Sequence, residues 1–322
     1  MHDPEKWKPI FRKDQALYVQ RTSVKLAAAI LIDGVIDASW LFIVAVGLTL
    51  VFGVLNILNF AHGSLYAVGA YTAASAVGWY YSGNFGPAFL GYFVMLAAAL
   101  LVAVALGPLL ERGVLRLFYR RDELVLVLVT YALFLILEDA TKLIWGVNPY
   151  YAYEPYSLLG NISLFGLSYV GYDFALLGLA LLTGVLLWLG LNRTITGKLV
   201  LAVIHDRDIS SAMGVNVTRV FVLAFTFGVL LAALGGAFTA PKISVQPGIS
   251  ISVILLSFAV VVIGGLGSVE GAAIAALIVG LARSAAIHLM PSVELFIVYL
   301  VMALVLALRP EGLFQRVTAR KI

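Results

Sequence analysis

Long apolar runs without a charged residue, such as residues 93–106, 175–191 and 295–308, constrain this chain more than any other feature. Crossing a bilayer core about 30 Å thick takes roughly 20 apolar residues per helix, and the chain holds enough for about eight or more crossings. Within lipid, only helices and closed barrels satisfy every backbone polar group. Barrel strands alternate polar and apolar residues, whereas these runs are continuous. The expectation is an all-α, polytopic transmembrane bundle of about eight or nine membrane segments, one of them possibly a broken helix. Only 12% of the 322 residues are charged and 62% are hydrophobic, which excludes a water-soluble domain.

The charges lie between and beyond the apolar runs in clusters, so the net charge of +4 points to membrane orientation and not to nucleic acid. The absence of cysteine excludes disulfides, thiol chemistry and cysteine metal sites. Residues 1–25 are polar and charged, unlike a cleavable signal peptide. Residues 1–38 read as a basic cytoplasmic segment, with a piece interrupted by Asp33 and Asp37 that could lie along the interface. Residues 39–309 read as the membrane domain, and 310–322 as a basic cytoplasmic tail.

Positive charge favours the cytoplasmic side. The loops 111–123 (Arg112, Arg116, Arg120, Arg121) and 192–219 (Arg193, Lys198, Arg207, Arg219) then lie inside, with two crossings between them. The aromatic loop 146–172 has no Lys or Arg, and 241–248 has only Lys242, so both fall outside. The beginning resists this count. With a cytoplasmic N-terminus, residues 26–82 need one net crossing or three, yet they show two apolar runs. Either residues 25–38 insert as a third, or the chain breaks around 56–63 without crossing.

That break is the first candidate site. Asn56, Asn59 and His62 stand between apolar runs, next to Gly53 and Gly63. Polar groups at membrane depth must be paired or line a cavity, and discontinuous helices often face a substrate. An interfacial loop with a capping Asn is the competing reading. The second candidate is the polar stretch 194–214, where Ala202, Ile209 and Met213 recur at helical spacing. It reads as a short helix on the cytoplasmic side, free to dock onto a partner.

Ala70 and Ala74, and Gly267 and Gly271, repeat every four positions, a helix-packing signal. Gly264, Gly265 and Gly267 form a glycine-rich turn. A phosphate-binding P-loop needs a following Lys-Ser/Thr pair, and none occurs, so the chain carries no ATPase site of its own. The four histidines lack metal-ligand spacing and no paired-carboxylate motif is visible, which leaves no catalytic or metal site. Glu138 and Asp139, each one turn from Lys142, read as a helix-internal ion pair.

Three blocks carry a family resemblance. They are Gly47-Leu48-Thr49 through Asn59-Phe60-Ala61-His62-Gly63 to Gly69-Ala70-Tyr71; Thr196-Gly197 to Ala212-Met213-Gly214 with Phe225–Gly228 and Ala232–Gly236; and Val262–Ala272. With these the chain resembles the permease subunits of branched-chain amino acid ABC transporters of the LivH type, from about Ser39 to Gly312. The resemblance implies a bacterial inner-membrane protein with its basic loops and C-terminus inside. It implies a second related permease, two ATPase subunits that hold ATP and Mg, and a periplasmic binding protein that delivers the solute. It makes 194–214 the segment that couples to an ATPase, with Thr196, Gly197, Lys198, Ala202, Asp206, Ala212, Met213 and Gly214 as its residues. It sets Asn56, Asn59, His62 and Gly63 near the translocation path. A self-sufficient secondary transporter or channel for a small solute is the alternative function.

Overall fold

The computed structural model describes residues 8–314. The elements run α1 (Lys8–Leu55), α2 (Ala61–Ser82), α3 (Gly91–Leu110), α4 (Arg116–Phe118), α5 (Glu123–Trp145), α6 (Glu154–Ser157), β1 (Asn161–Leu164), β2 (Leu167–Val170), α7 (Gly171–Arg193), α8 (Ile195–His205), α9 (Arg207–Ala212), α10 (Val217–Thr239), α11 (Ile249–Gly264), α12 (Val269–Leu289) and α13 (Glu294–Leu308). Among the described residues, six stretches are long and apolar enough to cross a membrane: Val24–Leu55, Ala88–Phe118, Glu123–Trp145, Gly171–Arg193, Val217–Thr239 and Val269–Leu289. Helices α2, α11 and α13 pack among them. The architecture is the helical membrane bundle that the apolar runs dictate.

Residues 24–55 of α1, and α10, are mostly buried, whereas α7 turns Leu181, Leu182, Val185 and Leu186 outward. α1 lies along α12 and α10, and α10 also packs on α2 and α3. Small residues permit these close approaches. A Cβ on Gly69 would fall 2.5 Å from Ala233 Cα, and one on Gly34 would fall 2.8 Å from Leu281 Cα.

Among the described residues, the strands are confined to the aromatic loop. β1 and β2 pair antiparallel, Leu164 opposite Leu167, across Phe165 and Gly166. Both turn residues have positive φ (53° and 74°), the type I′ geometry whose twist matches a hairpin. A second tie closes the same end, because Tyr150 and Val245 exchange backbone hydrogen bonds of 2.8 and 2.9 Å. Burial and the adjacent Asp173 carboxylate push the Tyr156 phenol in this loop up to about 12. It therefore stays a donor at neutral pH, 3.4 Å from Asp173 Oδ2.

The stretch expected at the interface is part of α1. One unbroken helix of 48 residues, about 72 Å long at 1.5 Å per residue, replaces the separate N-terminal piece and first crossing. Asp33 and Asp37 do not interrupt it, because α12 supplies their partners. His288 Nε2 lies 2.6 Å from Asp33, and Arg283 bridges Asp37 (3.1 Å) and Glu294 (2.5 Å). These pairs lie at the end of the bundle that carries the aromatic loop, where the Lys25 ammonium also approaches Gly166. From Asp33 the helix reaches Leu55 at the opposite end, about 33 Å away. Residues 24–55 of α1 are thus long and apolar enough to cross a membrane, whereas α2 is not among the six candidate spans.

Candidate functional sites

The first site is the gap between α1 and α2. Asn56 ends α1 with φ +57°, a left-handed conformation that asparagine tolerates, while its N–H still bonds Phe52 O at 2.8 Å. The chain then runs without regular structure to Phe60. α5 holds this segment. Thr130 Oγ1 lies 3.0 Å from Leu58 O and accepts the Phe60 N–H at 3.4 Å. Ser64 Oγ donates to Phe134 O at 3.0 Å, and the Phe60 ring meets Phe258 edge-on at 4.8 Å.

The structure separates the four residues expected near a path. Asn56 is exposed at the end of α1. Asn59 is buried, and neither its amide nitrogen nor its oxygen has a partner. His62 is fully buried. Its Nε2 lies 3.0 Å from the Val44 carbonyl, which only accepts, so Nε2 carries a proton, and the other ring nitrogen, Nδ1, has no partner. In the neutral ring Nδ1 is a free acceptor. Gly63 serves packing: a Cβ there would collide with the Ser250 carbonyl and fall 2.7 Å from Ile254 Cβ. Asn59 and His62 thus stand buried at the break with polar atoms that have no partner. Thr49 on α1 and Ser257 on α11 are also buried with unpartnered hydroxyls.

The expected ion pair divides. Asp139 and Lys142 are paired at 3.0 Å, but Glu138 turns inward. Its Oε1 accepts the Gly248 N–H at 2.8 Å and its Oε2 accepts the Ser250 hydroxyl, so it caps the N-terminus of α11 from 110 residues away. A carboxylate suits this place, because a helix N-terminus presents unpaired N–H groups and a partial positive charge.

The second site is α8–α9, at the end of the bundle carrying the basic loops. Sequence spacing suggests one helix, and the structure has two. Asp206 leaves helical geometry (φ −154°, ψ 111°) so that its carboxylate can accept the Ile209 N–H at 2.9 Å. Thr194 caps α8 through the Gly197 N–H at 2.9 Å. Gly197 is required there, since a Cβ would lie 2.5 Å from Leu191 Cα on α7. Val200 and Val203 seat α8 on the bundle. Thr196, Lys198, Ala202, Asp206, Ala212, Met213 and Gly214 all face outward. Ile195, Ile209 and Met213 are 80%, 64% and 80% exposed, apolar side chains outside the six long apolar spans.

The remaining glycines are structural. Gly264 and Gly271 bring α11 and α12 together, each Cβ position falling on the other's backbone. Gly265 (φ +96°) and Gly267 (φ +84°) make the turn, and Ser268 caps α12 by accepting the Gly271 N–H at 3.0 Å. The tail fills the cradle: Leu313 N–H bonds Ile263 O at 2.9 Å and Phe314 N–H bonds Gly264 O at 3.1 Å. Ala70 and Ala74 are buried on α2, Ala70 where it crosses α10 at Gly236. Among the described residues, no three of His, Cys, Asp and Glu cluster as a metal site.

Sequence reasoning missed Thr130, Ser250 and the capping role of Glu138. The available signal was a lone Thr, and a Ser at the start of an apolar run, in segments where polar groups need a reason.

A family profile described as "Branched-chain amino acid transport system / permease component" matches residues 30–306. The chain is 25% identical over 302 residues to the high-affinity branched-chain amino acid transport system permease protein BraD of Pseudomonas aeruginosa, covering 91% of this chain and 97% of that protein. It is 24% identical over 295 residues to the permease protein LivH of Escherichia coli K12, covering 90% and 96%. It is 29% identical over 297 residues to the permease protein LivM of Salmonella typhimurium, covering 84% of this chain and 67% of that one. No solved structure matches the chain. With its helical bundle and a profile match across most of its length, the chain belongs to the family of branched-chain amino acid transport system permease components.

Proposed function

We propose that this permease chain is half of the solute path of an ABC importer for branched-chain or other hydrophobic amino acids. A periplasmic binding protein delivers the solute, and a second related permease completes the path. Similarity to both LivH and LivM, two permease types, supports that pairing. Two ATPase subunits, with ATP and Mg, supply the energy. The basic loops and C-terminus then lie in the bacterial cytoplasm, and residues 24–38 of α1 lie toward the outer face. Asn59 and His62 flank the path, where their free donor and acceptor atoms meet the polar groups of a passing solute.

The observation that carries this reading is α8–α9. A chain without a P-loop holds out a capped helix pair with Ile195, Ile209 and Met213 exposed, on the side where an ATPase would sit. Apolar side chains in such a position seat in a partner's groove. Ile209→Asp and Met213→Asp, in the complete reconstituted importer, are expected to cut ATP hydrolysis stimulated by loaded binding protein by about tenfold or more, the range of a lost interface anchor. The amount of permease in the membrane should not change. Undiminished stimulation in both variants would refute the docking role.

A further inference from the structure

Behind α9, a chain of contacts leads from the surface to a buried, incompletely paired carboxylate. The Arg207 guanidinium on α9 lies 4.4 Å from the ring centroid of Phe221 on α10. Phe221 meets the Tyr119 ring edge-on at 5.2 Å. The Tyr119 hydroxyl donates to Glu111 Oε1 at 2.9 Å, while Glu111 is wholly buried and its Oε2 has no partner. Burial, and then the Glu111 carboxylate, hold the Tyr119 phenol well above its ordinary value, so it remains a donor.

Glu111 also opens a π-turn, Glu111–Leu115, inserted between α3 and α4. Such turns are rare, appear mostly as single-turn bulges in α-helices and occur often at functional positions. Pro108, one turn earlier, has already removed a helical N–H. On the facing side Gly107 packs directly on α10, where a Cβ would fall 2.8 Å from Thr226 Cα. The π-turn that follows α3 is therefore fastened to α10 close by at Gly107, and Tyr119 and Phe221 link it toward α9.

We propose that Glu111, Tyr119, Phe221 and Arg207 form a relay that carries movement of the ATPase-facing helix α9 into the π-turn of α3, with Glu111 and Tyr119 as positioning residues for coupling. The proposal rests on α8–α9 being the ATPase-docking segment. α9 pulls on Phe221 through Arg207, and the Tyr119–Glu111 hydrogen bond passes the displacement to the π-turn. The unpartnered Oε2 leaves Glu111 free to reorient as this happens.

The test uses the full importer in liposomes, with ATP hydrolysis and solute uptake measured together. Tyr119→Phe keeps the ring contact with Phe221 and deletes only the bond to Glu111. Its ATP consumed per solute transported is expected to rise about tenfold, a typical magnitude for energetic coupling between two sites, with basal hydrolysis and complex assembly unchanged. Glu111→Gln, which still accepts the Tyr119 hydroxyl, should stay near wild type, and Glu111→Ala should behave as Tyr119→Phe. Wild-type coupling ratios in both Tyr119→Phe and Glu111→Ala would overturn the relay. So would loss of assembly or of basal hydrolysis in Tyr119→Phe, which would mark a structural role. If Ile209→Asp removes stimulation while Tyr119→Phe does nothing, the relay fails and the docking assignment stands. If Ile209→Asp also does nothing, the docking assignment fails as well.

Discussion

Gly236→Leu is expected to abolish accumulation of folded permease. At this position α10 crosses α2 with no room for a side chain. A Cβ would collide with the Tyr66 carbonyl and lie 2.9 Å from Ala70 N, both of them backbone atoms that cannot rotate away. The helices must separate, which strips packing from Ala233, Ala237 and Tyr66 and strains the bond from the Tyr66 hydroxyl to Thr239. In lipid, close packing is the main force holding helices together, so little else compensates. The cost is about 3 kcal/mol or more, the upper range of overpacking effects. Gly178→Leu on α7 is the matched control, because a Cβ there meets nothing within 4 Å and the position faces outward. Size-exclusion profiles from detergent extracts should show a monodisperse peak for Gly178→Leu and none for Gly236→Leu. Two equal peaks would contradict the crossing.

Glu138→Ala is expected to loosen the aromatic-loop end of the bundle. The substitution leaves the Gly248 N–H and the Ser250 hydroxyl without an acceptor in a buried site. Hydrogen bonds to a charged acceptor contribute more than neutral ones, so the loss is about 3 kcal/mol. That corresponds to a fall of roughly 5–10 °C in the thermal midpoint. Glu138→Gln keeps an acceptor oxygen and should lose less than half as much. An alanine variant as stable as wild type would show that α11 is held by packing alone.

Apolar runs made the bundle legible from sequence, because lipid leaves so few alternatives. The break at residues 56–60 was legible for the same reason, since Asn56, Asn59 and His62 are out of place in apolar surroundings. What could not be read were pairings across the chain. Asp33 and Asp37 look like a helix interruption until His288 and Arg283 arrive about 250 positions later. Glu138 looks like a partner for Lys142, four residues on, because the α11 terminus that claims it lies 110 residues away. The split of α8 from α9 was partly legible, because Asp206 is a strong cap three residues before Ile209. Helical spacing of Ala202, Ile209 and Met213 masked it.

On the proposed function, this chain is expected to conduct solute only when driven by separate ATPases. Uptake of labelled leucine into liposomes tests it most directly, comparing the purified chain alone with the complete importer and its loaded binding protein. Uptake is expected by the complete importer with ATP, with none in the presence of a non-hydrolysable analogue and none by the chain alone under any ion gradient. Leucine uptake by the chain alone, driven by a proton or sodium gradient, would contradict it.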